Sequence, residues 1–148
     1  MPSKLHEYYK RTNSGTARIV CAVAFLLLAA SLQAQGEANI WYFGQYAGLD
    51  FTGGAPVPLT DGQLMTDEGC ATISTADGQL LFYTDGVRVY NKLHTLMPNG
   101  SGLAGNPSSA SSATIVPKPG SANLFYIFTT DREHAPNGFR YSVVDMDM

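Results

Sequence analysis

The sequence predicts an all-β chain after residue 34, laid out as about two and a half blades of a β-propeller, and three observations carry that prediction. The first is a repeat. Ala71-Thr72-Ile73 followed by Leu81-Phe82-Tyr83 returns as Ala113-Thr114-Ile115 followed by Leu124-Phe125-Tyr126, and Ile40-Trp41-Tyr42 is a truncated first statement. The interval is a little over forty residues, the length of a four-stranded blade that hides its faces against its neighbours. The second is the alternation of apolar and polar residues in short segments bounded by Gly, Pro and Asp-Gly. The third is that no long stretch after Gln35 has helical periodicity free of Gly or Pro.

Residues 1–34 belong to another class. Lys4, Lys10, Arg11 and Arg18 precede an apolar run from Ile19 to Leu32, and small residues follow up to Ala34, the order of a signal peptide read as a helix and removed on export. As a helix that run reaches roughly 21 Å, short of the roughly 30 Å hydrocarbon core, so no stable membrane span is expected. Cys21 follows Arg18-Ile19-Val20 rather than small residues, which argues against lipidation.

The elements then follow in order. Ile40 to Phe43 and Gly48 to Phe51 form two strands about a tight turn, and Ala55-Pro56-Val57-Pro58-Leu59 suits a sheet edge because proline cannot donate to a ladder. In the second unit Ala71 to Ser74, Gln79 to Thr84 and Val87 to Tyr90 alternate about turns at Thr75-Ala76-Asp77-Gly78 and Asp85-Gly86. Thr95 to Met97 closes that unit before Pro98-Asn99-Gly100. The third unit comprises Ala113 to Val116, a stiff turn with Pro117 and Pro119, Leu124 to Phe128, and Phe139 to Val144. Strand-like sequence still runs to Asp145, so residues 35–148 are expected to be the N-terminal part of a propeller domain truncated at its C-terminus. Too few residues precede Ile40 for an inner strand of the first unit, a place that the far end of a closed ring can fill.

Charge and cysteine exclude some functions. The whole chain carries −3; without residues 1–34, five basic residues face eleven acidic ones, a net charge of −6. A chain this acidic does not seek phosphate backbones, and no nucleic-acid partner is expected. Cys70 is then the only thiol, so no disulfide scaffold forms within the chain.

Several segments together carry a resemblance: Trp41-Tyr42-Phe43-Gly44, Ala47-Gly48-Leu49-Asp50-Phe51, Asp61-Gly62-Gln63-Leu64, the run from Glu68 to Ser74, Leu81 to Gly86, and Met97-Pro98-Asn99-Gly100. They resemble the N-terminal propeller-like region of large surface proteins of Bacteroidetes, which carry a gliding-motility-associated C-terminal sorting domain (type IX secretion, type B). The resemblance implies export and display at the cell surface or outside it, and carries over no catalytic residue.

Candidate chemistry is sparse. Asp61-Gly62, Asp77-Gly78 and Asp85-Gly86 have the residue types of hairpin turns, and none has the ligand spacing of a calcium loop, so no metal or other cofactor is expected. His94 and His134 lie in separate loops and are expected to be solvated, and no Gly-x-Ser-x-Gly elbow occurs. Trp41, Tyr42, Phe82, Tyr83, Phe125 and Tyr126 repeat by unit and are assigned to the core. Arg88, Tyr90 and Arg140, on the less apolar face of the third strand of their units, are the candidates for ligand contact. The expected function is a non-catalytic binding or scaffold module of an exported surface protein. Its partners would be an extracellular glycan or protein and, through the leader, the export machinery. The alternative is a secreted propeller hydrolase acting on polysaccharide or peptide.

Overall fold

The computed structural model describes residues 36–133 and 135–148; the expected signal peptide and His134 lie outside the described residues. After a 3-10 turn at Gly36–Ala38, ten strands follow in three antiparallel sheets. The first sheet is β1 (Ile40–Phe43), β2 (Ala47–Asp50) and β3 (Val57–Leu59), in that order. The second is a four-stranded meander of β4 (Ala71–Ser74), β5 (Leu80–Thr84), β6 (Arg88–Asn91) and β7 (Leu96–Ser101). The third is β8 (Ala113–Pro117), β9 (Leu124–Thr130) and β10 (Phe139–Asp145), with β9 in the middle. The all-β class and the strand positions agree with the sequence. No helix among the described residues is long and apolar enough to cross a membrane.

The clearest alternation of buried and partly buried positions is on β9. On β9, Phe125, Ile127 and Thr129 are buried and their neighbours are partly buried. Two clusters result. Ile73, Phe82 and Val89 of the second sheet pack against Ala113, Phe125, Ile127 and Val144 of the third. Leu80 and Tyr83, also of the second sheet, pack with Tyr42 of the first and with Leu64 of the β3–β4 loop. The middle sheet is thus covered on both faces, which its sequence allows because Leu80 to Thr84 has no charged residue. A β-bulge beside Ile73 and Ser74, where Ile73 pairs with Phe82 and Ser74 with Leu80, leaves Leu81 as the extra residue and sends Leu80 and Tyr83 to one side together.

Three expectations are corrected. The repeat is exact in strand order but not in residue register. Phe82 pairs with Ile73, whereas the residue paired with Ile115 is Ile127, and Phe125 pairs with Pro117 near the hairpin end. Phe82 and Phe125 therefore face each other across the sheet interface, with ring centroids 5.4 Å apart and edge on, instead of occupying equivalent places. Of the aromatic residues assigned to the core, Trp41 is 49% exposed and Tyr126 is only partly buried, outside both core clusters. The fourth strand of the second sheet also runs through Pro98 to Ser101 instead of ending at Met97. Pro98 is tolerated because β7 has a partner only on its β6 side, and the ladder is irregular there, with Asn99 at φ +55°.

The edge of β1 that is not paired with β2 is also occupied. The hydroxyl of Thr72 accepts from the Tyr42 amide at 2.8 Å and donates to the Tyr42 carbonyl at 3.1 Å. One side chain of β4 thereby satisfies both backbone groups that an added inner strand would use at that residue.

Candidate functional site

The described ionisable side chains that are tied together most tightly lie where the first and second sheets meet. Tyr83 on β5 and Tyr90 on β6 are cross-strand partners, so their rings share a face. Tyr42 on β1 stacks on Tyr83 at 4.6 Å and 25°, and Tyr83 stacks on Tyr90 at 5.5 Å and 21°. Gly48 and Gly62 make room for the Tyr42 ring, since a Cβ would lie 2.9 Å from its Cδ1 at residue 48 and 2.7 Å at residue 62.

Two loops close over this stack. The β3–β4 loop is anchored by fully buried Leu64, whose carbonyl accepts from the Tyr46 amide at 2.8 Å, and it carries Asp61. The β6–β7 turn carries His94 at φ +59°, fixed by its amide bond to the Asn91 carbonyl at 2.9 Å and by Asn91 Oδ1, which accepts from the amides of Leu93 and Thr95. Tyr42 donates to Asp61 Oδ1 at 2.7 Å, and His94 Nε2 lies 3.3 Å from Asp61 Oδ2. His94 Nδ1 lies 3.0 Å from the Tyr83 hydroxyl, which also accepts from the Gln63 amide at 3.1 Å.

With Asp61 ionised and the imidazole neutral, these contacts have one consistent direction. The imidazole donates from Nε2 to the carboxylate, which leaves Nδ1 to accept the Tyr83 hydroxyl proton. The chain runs from the Gln63 amide through Tyr83 and His94 to Asp61, with Tyr42 as a second donor. The Tyr42 hydroxyl bond holds Asp61 below the ordinary aspartate range. Burial, then donation to Asp61, raises Tyr42 well above its ordinary value. Burial pushes Tyr83 up to about 12 against the opposing Gln63 amide bond. Both phenols therefore stay protonated at neutral pH. The Asp61 side chain remains 58% exposed, so the network presents a carboxylate and an imidazole edge to solvent.

This arrangement corrects two expectations. Asp61 belongs to a long loop and accepts hydrogen bonds from both its neighbours in the network instead of closing a hairpin. His94 bridges Asp61 and Tyr83 instead of being solvated. Alternation along single strands does not bring them together; the left-handed turn and the packing of two sheets do.

Of the residues expected to contact a ligand, Arg88 and Tyr90 share one strand and Arg140 lies on another sheet. Arg88 is exposed at the start of β6, 3.9 Å from the buried Asp85 carboxylate, which also accepts from the amides of Val87 and Arg88. Tyr90 shares a face of β6 with Arg88, and its ring is partly buried at the end of the tyrosine stack. Arg140 is exposed on the edge strand β10 of a different sheet, donating to the Phe139 carbonyl at 3.3 Å. Two clefts are also present. One of about 190 Å³ opens between β7 and β10 and is lined chiefly by Val89, Met97, Leu103, Ile127 and Val144. The other, of about 320 Å³, lies between β1 and β4 beside Trp41, Phe43 and Cys70. Burial raises the Cys70 thiol, with the Asp85 charge adding to it, which keeps this cysteine protonated. Among the described residues no three His, Cys, Asp or Glu side chains are grouped to hold a metal ion.

No protein-family model, no curated protein and no solved structure matches the chain.

Proposed function

We propose that residues 35–148 are a non-catalytic binding and scaffold module of an exported surface protein, built as part of a β-propeller. The observation that carries this reading is the serial packing of the sheets. Each is an antiparallel run of consecutive strands, and each packs on the next in chain order, as blades do. The tied ionisable groups support the non-catalytic part. Tyr42, Asp61, His94 and Tyr83 hold two sheets together, and the Tyr83 hydroxyl that a base could activate is fully buried. Arg88 and Arg140 remain exposed for polar contacts with a glycan or protein. Export rests on the basic, apolar and small-residue order of residues 1–34, and the type IX route rests on the sequence resemblance alone.

One preparation tests both parts. Expressed in a secreting host, the chain should be recovered outside the cytoplasm with a mass matching cleavage near Gln35; recovery with residues 1–18 attached would refute the leader. The purified product, incubated with polysaccharide and peptide panels, should bind without turnover. Hydrolysis that disappears in a folded Asp61→Asn variant would refute the non-catalytic reading.

A further inference from the structure

We propose that Asn137 is a site of spontaneous chemical modification, its side-chain amide giving way to aspartate and isoaspartate and loosening the turn between β9 and β10, while the fold protects the same tripeptide at Asn99. The sequence offers both sites on equal terms, since Pro98-Asn99-Gly100 and Pro136-Asn137-Gly138 are identical.

The chemistry needs only water. The Gly nitrogen gives up its proton to solvent base and attacks the Asn side-chain carbonyl carbon; a carbon–nitrogen bond forms, and the bond to the side-chain nitrogen breaks as ammonia leaves. Water then opens the succinimide ring at either carbonyl, leaving an ordinary aspartate or a backbone lengthened by one methylene. Glycine after the asparagine favours closure because it has no Cβ to obstruct it. The Asn–Gly peptide plane must turn until its nitrogen reaches the side chain, so the surroundings of that plane decide the rate.

At Asn99 the plane is held. Asn99 lies inside β7 at φ +55°, and Gly100 is buried, where a Cβ would lie 2.8 Å from the Met97 carbonyl oxygen and 3.0 Å from that of Val89. Turning it would press backbone on backbone, so β7 has to open locally first. At Asn137 no such barrier stands in the way. Both residues are exposed in the turn before β10, and a Cβ on Gly138 would meet nothing within 4 Å. Gly138 accepts from the Asp131 amide at 3.1 Å through its carbonyl, a bond that does not use its nitrogen. Asn106 cannot react this way, because the nitrogen of Pro107 has no proton to give.

The product fits the turn poorly. The Asp131 carboxylate accepts from the amides of Arg132 at 2.8 Å and Asn137 at 3.2 Å, from the Asn137 side chain, and from Asn106 Nδ2 at 3.3 Å in the loop between β7 and β8. A carboxylate at residue 137 removes one of these donors and sets a second negative charge beside Asp131. The turn then comes away from Asp131, and Arg132 within it becomes easier for trypsin to reach.

The purified exported chain, aged at mildly alkaline pH and mapped by tryptic peptides that separate asparagine, aspartate and isoaspartate, tests this. Asn137 should convert at least about tenfold faster than Asn99, because only Asn99 has to wait for a local opening. In urea the two rates should come together. Equal rates in the folded chain, a faster Asn99, or an Asn137 that stays intact when folded and converts in urea would overturn the proposal. So would a preference for Asn137 that survives in urea, since sequence and not the fold would then set it. Asn137→Gln should abolish the main acidic species seen by ion exchange, because glutamine needs a larger ring, and persistence of that species is a further refutation. Asn137→Asp should be cut after Arg132 several-fold faster than the parent in brief trypsin digestion; an unchanged rate would overturn the loosening of the turn.

Discussion

Replacing Tyr83 by Phe isolates the hydrogen-bond network from the stacking that surrounds it. The ring stays between Tyr42 and Tyr90, so the buried apolar area is nearly unchanged and only the hydroxyl goes. That hydroxyl makes two bonds, one from the Gln63 amide at 3.1 Å and one to His94 Nδ1 at 3.0 Å. At about 1 kcal/mol net for each, the variant should lose about 2 kcal/mol. For a domain of this size that is a fall of about 8 °C in Tm. Urea unfolding followed by the emission of Trp41, the single tryptophan, measures it, and the slope should not change because the exposed surface does not. Adding His94→Ala makes the argument sharper. If Tyr83 and His94 are bonded to each other, the double variant should be about 1 kcal/mol less destabilised than the two single losses together. A Tyr83→Phe variant within about 0.5 kcal/mol of the parent, or losses that simply add, would refute the network as a tie between the sheets.

Other expectations follow from the same structure. Asp61 has a folded-state pKa below its ordinary value of about 3.8, so its contribution is complete above that pH and is lost as pH falls from there through the folded value. Urea midpoints between neutral pH and pH 3 should therefore drop more steeply for the parent than for Tyr42→Phe, and parallel curves would refute the link. Phe82→Ala removes a fully buried ring from the contact with Phe125 and should cost about 3–5 kcal/mol in denaturant unfolding; a loss under 1 kcal/mol would mean the two sheets are not packed as described. Gly86 has φ +84°, and a Cβ there would lie 2.6 Å from the Ser112 carbonyl oxygen at the start of the third sheet, whereas Gly120 has φ +77° and open space around it. Gly120→Ala should cost about 1 kcal/mol from the left-handed backbone alone, and Gly86→Ala about 3 kcal/mol or more once the clash is added; equal melting points would refute the close approach.

Much of the fold was legible in the sequence because strand formation here is a local matter. Val87-Arg88-Val89-Tyr90 declares its two faces by alternation, Asp85-Gly86 declares its turn, and the prolines at 56 and 58 declare an edge, whereas β10 exposes its apolar Phe139, Tyr141 and Val143 and buries Val144. Partner choice between sheets is not local. The matching triplets at Leu81 and Leu124 suggested one register, but a bulge in the β4–β5 ladder and a different hairpin between β8 and β9 displaced the second triplet toward its turn. Phe125 therefore looks back at Phe82. Neither device leaves a mark in hydrophobic periodicity.

The candidate site follows the same division. Sequence alone determined that Tyr83 and Tyr90 lie on β-type segments and that the acidic-Gly pairs sit between strands. Only the tertiary structure decided that Asp61, from a loop after the first sheet, and His94, from a turn of the second, meet over that tyrosine pair. Side-chain hydrogen bonds between distant loops depend on how two sheets are set against each other, and apolar packing fixes that setting. Tyr42 and Leu64 pack beside Tyr83, and in that packing Asp61 lies within reach of His94.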